Sequence, residues 1–328
     1  MEAIVLKEFG GPEVLRIFEV PLPECGPDDI VIRVRAAGVN RADLLERQGL
    51  YPPPPPRPEY QIPGLECAGE VVKTGSRVVR FREGDRVMAL VSGGGYAQYV
   101  ACPEDFAMPI PPGLSDIEAA AIPEAFLTAY DALFDKAQLA MGQSVLIHAG
   151  AGGVGSAAIQ LAHVAGLHVV TTVGTEEKRQ RVLALGAEVA VNYHDEVFED
   201  VVGSWSNGQG VDAILDFVGQ QYLTANMASL KTTGTIVVIG TLSGTDASIH
   251  LGQLLGRRLT VRGTALRSRP KYEKMRLIQT FQERTHAFFA SGRLGAIIDR
   301  TFPLAQAAEA HRYLVTNQTI GKVILTVD

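Results

Sequence analysis

The chain has 328 residues, of which 46% are hydrophobic and 20% are charged, and its formal net charge is −6. This balance is typical of a folded globular protein and excludes the disordered and fibrous classes. The mild acidity gives no electrostatic reason to expect nucleic acid as a partner. No stretch approaches about 18 uninterrupted apolar residues, so no membrane span is expected. The length corresponds to roughly two domains of about 150 residues each.

Both the N-terminus and the cysteines favour a cytoplasmic location. Residues 1–8 lack a basic segment followed by a long apolar core, so nothing indicates secretion. The three cysteines, Cys25, Cys67 and Cys102, are far apart and form no CxxC pair. This pattern fits a reducing compartment and argues against a structural zinc site.

The first hundred residues read as short strands separated by turns. Runs of β-branched and apolar residues predict strands over residues 3–7, 29–36, 68–73 and 84–90. This spacing indicates a small, mostly antiparallel and partly open β-barrel. A short helix is predicted over residues 40–48. The proline run at residues 52–56 follows Tyr51 and predicts an extended backbone, which is either a stiff surface loop or a rigid wall beside a site.

A change of pattern marks the end of this first domain. Ser115 and Glu118 form a capping box that opens a helix, and Pro123 is expected to break it and begin another that runs through Phe134. The predicted domains are therefore residues 1–122, a second domain at residues 123–267, and a C-terminal segment at residues 268–328 that returns to the first.

From residue 144 the pattern alternates between strand and helix. Strands are predicted over residues 145–149, 168–173, 189–192, 212–217, 235–239 and 260–263. Helices are predicted over residues 154–165, 176–185, 196–205 and 222–230. Near-continuous apolar strands alternating with helices indicate an α/β fold with a doubly wound parallel sheet. A long helix to about residue 291 and a final strand at residues 323–327 complete the chain.

The second domain carries a glycine-rich loop directly between a strand and a helix. Gly150, Gly152 and Gly155 satisfy the G-x-G-x-x-G pattern, which Gly153 and Val154 complete. In this context the first glycine allows the tight turn, the second leaves space for a pyrophosphate, and the third lets helix and strand pack closely. The helix N-terminus then faces the diphosphate. The alternative is a glycine-rich turn without a ligand.

The end of the next strand predicts which dinucleotide binds. An NAD site usually has an acidic residue there, whereas this chain has Gly174. A glycine leaves room for a 2′-phosphate, to which Lys178 can add positive charge and Tyr193 a hydroxyl. The two glutamates after Thr175 are expected to lie in the first helical turn, where the helix dipole favours them. The sequence therefore predicts NADPH, with Lys178 as a solvated surface lysine left as the alternative.

Several strings together resemble the medium-chain dehydrogenase/reductase superfamily, and within it the zinc-free quinone oxidoreductases related to zeta-crystallin. They are residues 39–44 (VNRADL), 64–69 (GLECAG), 93–100 (GGGYAQYV), 120–129 (AAIPEAFLTA), the glycine-rich loop and 320–323 (IGKV). Tyr51 and residues 264–269 (TALRSR) are similar to the stress-induced NADPH:quinone oxidoreductase subgroup. The resemblance implies a GroES-like, partly open β-barrel catalytic domain and a doubly wound Rossmann cofactor domain.

The resemblance also implies catalysis without zinc. Alcohol dehydrogenases of this superfamily hold a catalytic zinc through Cys and His, with a metal-binding Gly-His-Glu where this chain has Gly64-Leu65-Glu66. Leucine cannot ligate a cation, and residues 40–43 hold no cysteine where an early ligand would fall. A quinone is electrophilic enough to accept hydride without a metal that polarises its carbonyl.

Family roles can be carried over by motif. Asn40 and Tyr51 are expected to line the nicotinamide and quinone pocket. Thr128 and residues 150–155 would contact the ribose and phosphates of the cofactor. The 2′-phosphate would be surrounded by Gly174, Thr175, Lys178 and Tyr193, and the remaining cofactor contacts would come from Gly219, Gly240, Thr241, Leu242, Leu266, Gly321 and Lys322. Thr128 as a helix-interior residue, and Gly219 and Gly240 as plain turns, stay open as alternatives. His148 is expected to be a packed core histidine.

The resulting hypothesis is an NADPH-dependent quinone reductase. A hydrogen-bond donor from Asn40, from the Tyr51 hydroxyl or from water would stabilise charge on the quinone oxygen, and no general acid is identified. One alternative is reduction of an activated C=C bond, in which Tyr51 protonates the α-carbon. A second is a non-enzymatic NADPH-binding protein with a structural or RNA-binding role. A homodimer is implied by the resemblance, with the edge strand at residues 260–263 as its contact.

Overall fold

The computed structural model describes residues 1–55 and 58–328, so the last residue of the proline run, Pro56, lies outside the described residues. The chain divides into two compact units. The first unit comprises residues 1–127 and 266–328, and the second unit comprises residues 128–265.

The described residues form fifteen strands and ten α-helices. The strands are β1 (Glu2–Val5), β2 (Arg16–Glu19), β3 (Asp29–Val39), β4 (Glu66–Thr74), β5 (Arg86–Leu90), β6 (Tyr99–Pro103), β7 (Ala107–Pro109), β8 (Ser144–Ile147), β9 (His168–Val173), β10 (Val189–Asn192), β11 (Val211–Asp216), β12 (Leu230–Val238), β13 (Thr260–Gly263), β14 (Ile298–Pro303) and β15 (Lys322–Thr326). The helices are α1 (Arg41–Arg47), α2 (Asp116–Ala119), α3 (Pro123–Tyr130), α4 (Gly153–Val164), α5 (Glu176–Ala184), α6 (Phe198–Trp205), α7 (Leu223–Ser229), α8 (Leu251–Gly256), α9 (Lys271–Ala290) and α10 (Ala307–Val315).

The first unit is built on a seven-stranded mixed sheet around the long strand β3. Its order is β14-β15-β3-β4-β5-β7, and β6 also pairs with β3. Ile30, Ile32 and Val34 alternate along β3 and are buried in the core of this unit. The strand β15 pairs antiparallel with β3, so the last strand of the chain belongs to this sheet.

The second unit is a parallel six-stranded sheet with the order β10-β9-β8-β11-β12-β13. The chain moves outward from β8 to β10 and then starts again in the opposite direction at β11. The strand order therefore reverses between β8 and β11, which is where ligands bind in open α/β sheets. The central strands β8 and β11 are almost completely buried, because helices cover both faces of a parallel sheet. The doubly wound fold predicted from the sequence is confirmed.

The differences from the predicted elements have local causes. Four short strands were not predicted: β2, β6, β7 and β14. Half of the residues in β2 and in β14 are polar, and all residues of these two strands are at least partly exposed, so neither has the apolar pattern of a buried strand. The capping box at Ser115 is present, and Pro123 begins α3 as predicted. The helix changes to a π-helical segment over Asp131–Lys136, whereas the sequence predicted an uninterrupted helix through Phe134.

No helix in the described part of the chain is both long and apolar enough to cross a membrane.

Candidate active site

The glycine-rich loop of the second unit forms an anion-binding helix N-terminus. Gly152 is the N-cap residue of α4, and no side chain caps this helix. The first N–H groups of α4 therefore have no intrahelical acceptor and can bind a phosphate. A Cβ atom at Gly155 would overlap the Ala149 carbonyl, so only glycine lets α4 begin this close to the strand. The loop has the shape and the donors that a dinucleotide pyrophosphate needs.

Gly174 and Tyr193 lie against each other at the carboxyl ends of β9 and β10. A Cβ atom at Gly174 would overlap the Tyr193 hydroxyl, and Tyr193 keeps 36% of its surface exposed. Thr175 is the N-cap of α5, where its hydroxyl accepts a hydrogen bond from the Lys178 N–H at 3.2 Å. Lys178 itself is mostly buried, with 7% of its surface exposed, so it is not the solvated surface lysine of the alternative interpretation.

The loops after β11 and β12 are joined by backbone hydrogen bonds. Asp216, at the end of β11, accepts hydrogen bonds from the N–H groups of Val218 at 2.7 Å and Gly219 at 3.0 Å. The Leu242 N–H donates to the Phe217 carbonyl at 3.2 Å. Gly219 has a φ of +82°, so it also serves as a turn residue. The loop after β12 contains the predicted cofactor residues Gly240, Thr241 and Leu242.

The second unit thus brings most of its predicted cofactor residues to one edge of the sheet. Because all six strands run parallel, the carboxyl ends of β8 to β12 lie along the same edge. Thr128 is instead buried inside α3. His148 is fully buried, with Nε2 2.7 Å from Asn226 Oδ1 and Nδ1 3.1 Å from Thr172 Oγ1. Burial lowers its pKa, so it is a neutral core residue, as the sequence predicted.

In the first unit, the centre of the candidate site is a buried carboxylate, Glu66. Lys322 donates a hydrogen bond to Glu66 Oε1 at 2.6 Å, and Asn40 Nδ2 donates to the same oxygen at 2.9 Å. The Glu124 N–H donates to Glu66 Oε2 at 2.7 Å. The exposed fractions of the Lys322 and Glu66 side chains are 5% and 0%. The carboxylate therefore joins the end of β3, the start of α3 and the returning strand β15. We refer to Asn40, Glu66 and Lys322 as the Glu66 network.

Both ends of the Asn40 amide are occupied in this network. Its Oδ1 accepts from Lys322 at 2.6 Å, while Nδ2 is held by Glu66. Lys322 also donates to the Val39 carbonyl at 3.2 Å, so all three donors of its ammonium are used within the first unit. Lys322, which the sequence analysis placed among the cofactor contacts, positions Asn40 here.

A second buried group supports the start of α1. Asp43 Oδ2 accepts from the Asn40 N–H at 2.7 Å and from the Tyr96 hydroxyl at 3.0 Å, and that hydroxyl lies 3.2 Å from His311 Nε2. Burial raises the pKa of Asp43 to about 7 and lowers the pKa of His311 to about 3. Desolvation disfavours the charged form of each, so at neutral pH His311 is uncharged and Asp43 is partly protonated.

The segment that contains Tyr51 is held by Arg267. The guanidinium donates to the Tyr51 carbonyl at 3.0 Å and to the Ser92 carbonyl at 2.9 Å, and it forms an ion pair with Glu46 at 2.9 Å. It lies 5.3 Å from the centre of the Tyr51 ring. Burial raises the pKa of the Tyr51 hydroxyl to about 12, so this hydroxyl keeps its proton at neutral pH.

Two further predicted residues belong to the first unit and have structural roles there. Leu266 precedes the buried Arg267 and is itself buried, with 4% of its surface exposed. Gly321 has a φ of +88°, and a Cβ atom there would overlap the Ile297 carbonyl. The turn before β15 therefore requires glycine.

The residues of the first unit do not fit a zinc ion. Leu65 and Cys67 are buried on either side of Glu66, and burial raises the pKa of the Cys67 thiol to about 12, whereas zinc binds the thiolate. Glu66 is already paired with Lys322. Among residues 1–55 and 58–328, no group of three or more His, Cys, Asp or Glu side chains could hold a metal.

Sequence reasoning missed Glu66, Glu124 and Arg267 as site residues. Glu66 stands inside a recognised string, but its partner Lys322 is 256 positions away, and only the pairing of β15 with β3 brings them together. Arg267 is likewise 216 positions from Tyr51. No local pattern indicates such contacts. The available signal for a site residue was a charged residue at the end of an otherwise apolar strand.

Two protein families match the chain. The alcohol dehydrogenase GroES-like domain matches residues 26–112, and the zinc-binding dehydrogenase family matches residues 153–283.

Individual relatives cover nearly the whole chain. A quinone oxidoreductase of Lama guanicoe is 34% identical over 99% of this chain and 97% of its own length. Among solved structures, an NAD-dependent alcohol dehydrogenase has a TM-score of 0.89 at 33% identity and covers all of both chains. An Escherichia coli quinone oxidoreductase complexed with NADPH has a TM-score of 0.89 at 30% identity, over 99% of this chain and 100% of its own.

Proposed function

The chain belongs to the medium-chain dehydrogenase/reductase superfamily as a relative of its quinone oxidoreductases, and we propose that it reduces quinones with NADPH, without zinc. It is therefore an oxidoreductase. The observation that carries the proposal is the 2.6 Å contact between Lys322 and Glu66. In the first unit, an ammonium group neutralises the glutamate of the Gly-Leu-Glu string, and Leu65 stands where a metal-binding histidine would be needed.

Gly174 and Tyr193 support the choice of NADPH over NADH. A carboxylate at the end of β9 would repel a 2′-phosphate, and Gly174 provides none. The half-exposed Tyr193 hydroxyl beside it can donate a hydrogen bond to that phosphate. The glycine-rich loop would hold the pyrophosphate at the start of α4. When bound, the coenzyme supplies the hydride.

We assign Tyr51 as the donor toward the substrate oxygen. Both ends of the Asn40 amide are used by Lys322 and Glu66, whereas the Tyr51 hydroxyl makes no hydrogen bond with any residue in the described ranges. A quinone oxygen gains negative charge as hydride arrives, and a fixed O–H donor stabilises that charge. Arg267 holds the Tyr51 backbone, which would keep the donor in position.

The test is turnover of the purified protein with 1,2-naphthoquinone, followed by the loss of NADPH absorbance. We expect oxidation well above the buffer rate with NADPH and a lower kcat/KM with NADH. Absence of NADPH oxidation with several quinones would refute the proposal.

A second candidate activity is the reduction of an activated C=C bond. It is favoured by the Tyr51 hydroxyl, which holds its proton at neutral pH and makes no hydrogen bond with any residue in the described ranges, so it can deliver that proton to the α-carbon after hydride reaches the β-carbon. A comparison of kcat/KM for an enone and a quinone separates the two activities. A higher value for the enone would favour this candidate.

We further propose that the protein is a cytoplasmic homodimer. The edge strand β13 is mostly exposed, and the neighbouring helix α8 presents Leu251 and Leu255 with 70% and 81% of their surfaces exposed. An open strand edge with apolar neighbours favours pairing with a second copy. Cys25, Cys67 and Cys102 are all free thiols, as a reducing compartment would keep them. Light scattering after gel filtration tests the dimer, and a monomer would contradict it.

A further inference from the structure

We infer that Glu124 is the proton reservoir of the active site, the group that supplies the proton consumed with each hydride. This inference rests on the proposed reductase function, because only a reductive half-reaction consumes a proton at this site. It also names the acid that the sequence did not identify.

The charges in the first unit leave Glu124 without a neutralising partner. Glu66 is paired with Lys322 at 2.6 Å, and Glu46 with Arg267 at 2.9 Å. The buried ammonium of Lys274 donates instead to the Ser92 hydroxyl at 2.9 Å and the Arg267 carbonyl at 2.7 Å. The acids that remain without an ion pair in the described ranges of this region are Asp43 and Glu124. A partly buried carboxyl without an ion pair favours its protonated form.

Geometry distinguishes Glu124 from Asp43. Asp43 is fully buried and accepts hydrogen bonds from Asn40 and Tyr96, so its carboxyl is a structural acceptor. Glu124 is only half-buried, and its side chain makes no hydrogen bond with any residue that the structure describes. It can therefore exchange its proton with water or with a bound molecule.

The backbone ties Glu124 to the Glu66 network. Glu124 is the second residue of α3, and its N–H donates to Glu66 Oε2 at 2.7 Å. The other oxygen of Glu66 holds Asn40 at 2.9 Å. Among the charged groups, Glu124 contributes most to the raised pKa of the Tyr51 hydroxyl, after burial. An acid, a hydroxyl donor and the fixed Asn40 thus belong to one cluster.

The surrounding groups determine when this acid gives up its proton. Burial and the neighbouring acids Glu66 and Asp43 raise the pKa of Glu124, Lys322 and Lys274 oppose the shift, and the resulting pKa is about 8. At neutral pH the carboxyl is therefore mostly protonated. Above about pH 8 it becomes a carboxylate and can no longer supply a proton.

The proposed step balances in atoms and electrons. A quinone that has accepted a hydride, with its electron pair, carries one negatively charged oxygen. A new O–H bond forms on that oxygen through the Tyr51 hydroxyl or a water molecule, and the O–H bond of the Glu124 carboxyl breaks to replace the transferred proton. Water then returns a proton to Glu124. The sum is one quinone, one hydride and one proton for each hydroquinone.

The first test observes the proton directly, on the full chain without coenzyme or substrate. An infrared difference spectrum of wild type minus E124Q at pH 7 should contain the C=O stretch of a protonated carboxylic acid. That band should disappear as the pH is raised through about 8. E118Q is the control. Glu118 lies in an exposed capping box, and the hydrogen bond from Ser115 lowers the pKa of its carboxyl. Glutamine at this position preserves the cap. The difference spectrum of wild type minus E118Q should contain no such band. Absence of the band from the spectrum of wild type minus E124Q would overturn the inference.

The second test measures turnover as a function of pH. We expect the kcat of the wild type to fall above about pH 8, and E124Q to lose this limb and to have a kcat lower by about 10- to 100-fold. E124D should retain a pH-dependent limb, and E118Q should behave like wild type. If wild type turns over and E124Q has the same rate and pH profile, the inference is wrong. If wild type does not turn over at all, the proposed function fails, while the infrared band still decides whether Glu124 holds the proton.

Discussion

The two units of this protein specify their candidate functional residues in different ways. The glycine-rich loop of the second unit spans six consecutive residues, 150–155, and its function depends on backbone N–H groups and on the absence of side chains. The Glu66 network of the first unit depends on three charged or polar side chains, from the N-cap of α1, from β4 and from the distant β15. A site made of local backbone groups can be predicted from a short stretch of sequence, whereas a network of distant side chains can be identified only once the fold is known.

The same difference predicts how each site fails. A backbone site is lost when a side chain is added, and a buried ionic network is lost when a side chain is removed.

Lys322→Met should lower the free energy of unfolding by about 3–5 kcal/mol, because it leaves the Glu66 carboxylate buried without its cation. Urea denaturation measures the loss. The double variant with Glu66→Gln should recover a substantial part of it, since the uncompensated charge is then gone. Arg312→Met is the control in the same unit. Arg312 pairs with Glu309, both are about half exposed, and the expected loss is below about 1 kcal/mol. Equal losses for the two variants would contradict the role given to burial.

Gly155→Ala should destabilise the second unit by about 1–3 kcal/mol and strongly weaken NADPH binding, because the added methyl group overlaps the Ala149 carbonyl. Gly203→Ala is a matched control. Gly203 lies inside α6 with open space around its Cβ position, so alanine should stabilise the helix by about 0.5–1 kcal/mol. Thermal unfolding and coenzyme fluorescence measure both quantities. Unchanged NADPH affinity in Gly155→Ala would exclude the loop as the pyrophosphate site.

Tyr193→Phe should weaken NADPH binding by about tenfold, since a hydrogen bond to a charged group contributes about 1.5 kcal/mol. The affinity for NADH should not change, because NADH has no 2′-phosphate. Fluorescence titration with both coenzymes distinguishes a specific effect from a general one. An equal loss for the two coenzymes would show that Tyr193 does not contact the phosphate.

The contrast between local and long-range contacts also explains which parts of the fold and of the candidate site could be predicted from the sequence. The doubly wound sheet and the phosphate loop could be predicted, because apolar strands and glycine spacing are local signals. Tyr51 and Asn40 were named through family resemblance, but the reason that Asn40 is fixed, its bonds to Glu66 and Lys322, depends on the pairing of β15 with β3. The partly exposed strand β14 and the buried position of Lys178 could not be predicted, since neither produces a periodic pattern.

The central claim is that this chain transfers hydride from NADPH without a metal ion, with Lys322 neutralising Glu66. The most direct test is turnover with 1,2-naphthoquinone after dialysis against a chelator, on protein whose metal content has been measured by elemental analysis. We predict full activity at less than stoichiometric metal and no stimulation by added zinc. Activity that disappears with the metal and returns in proportion to bound zinc would contradict the account.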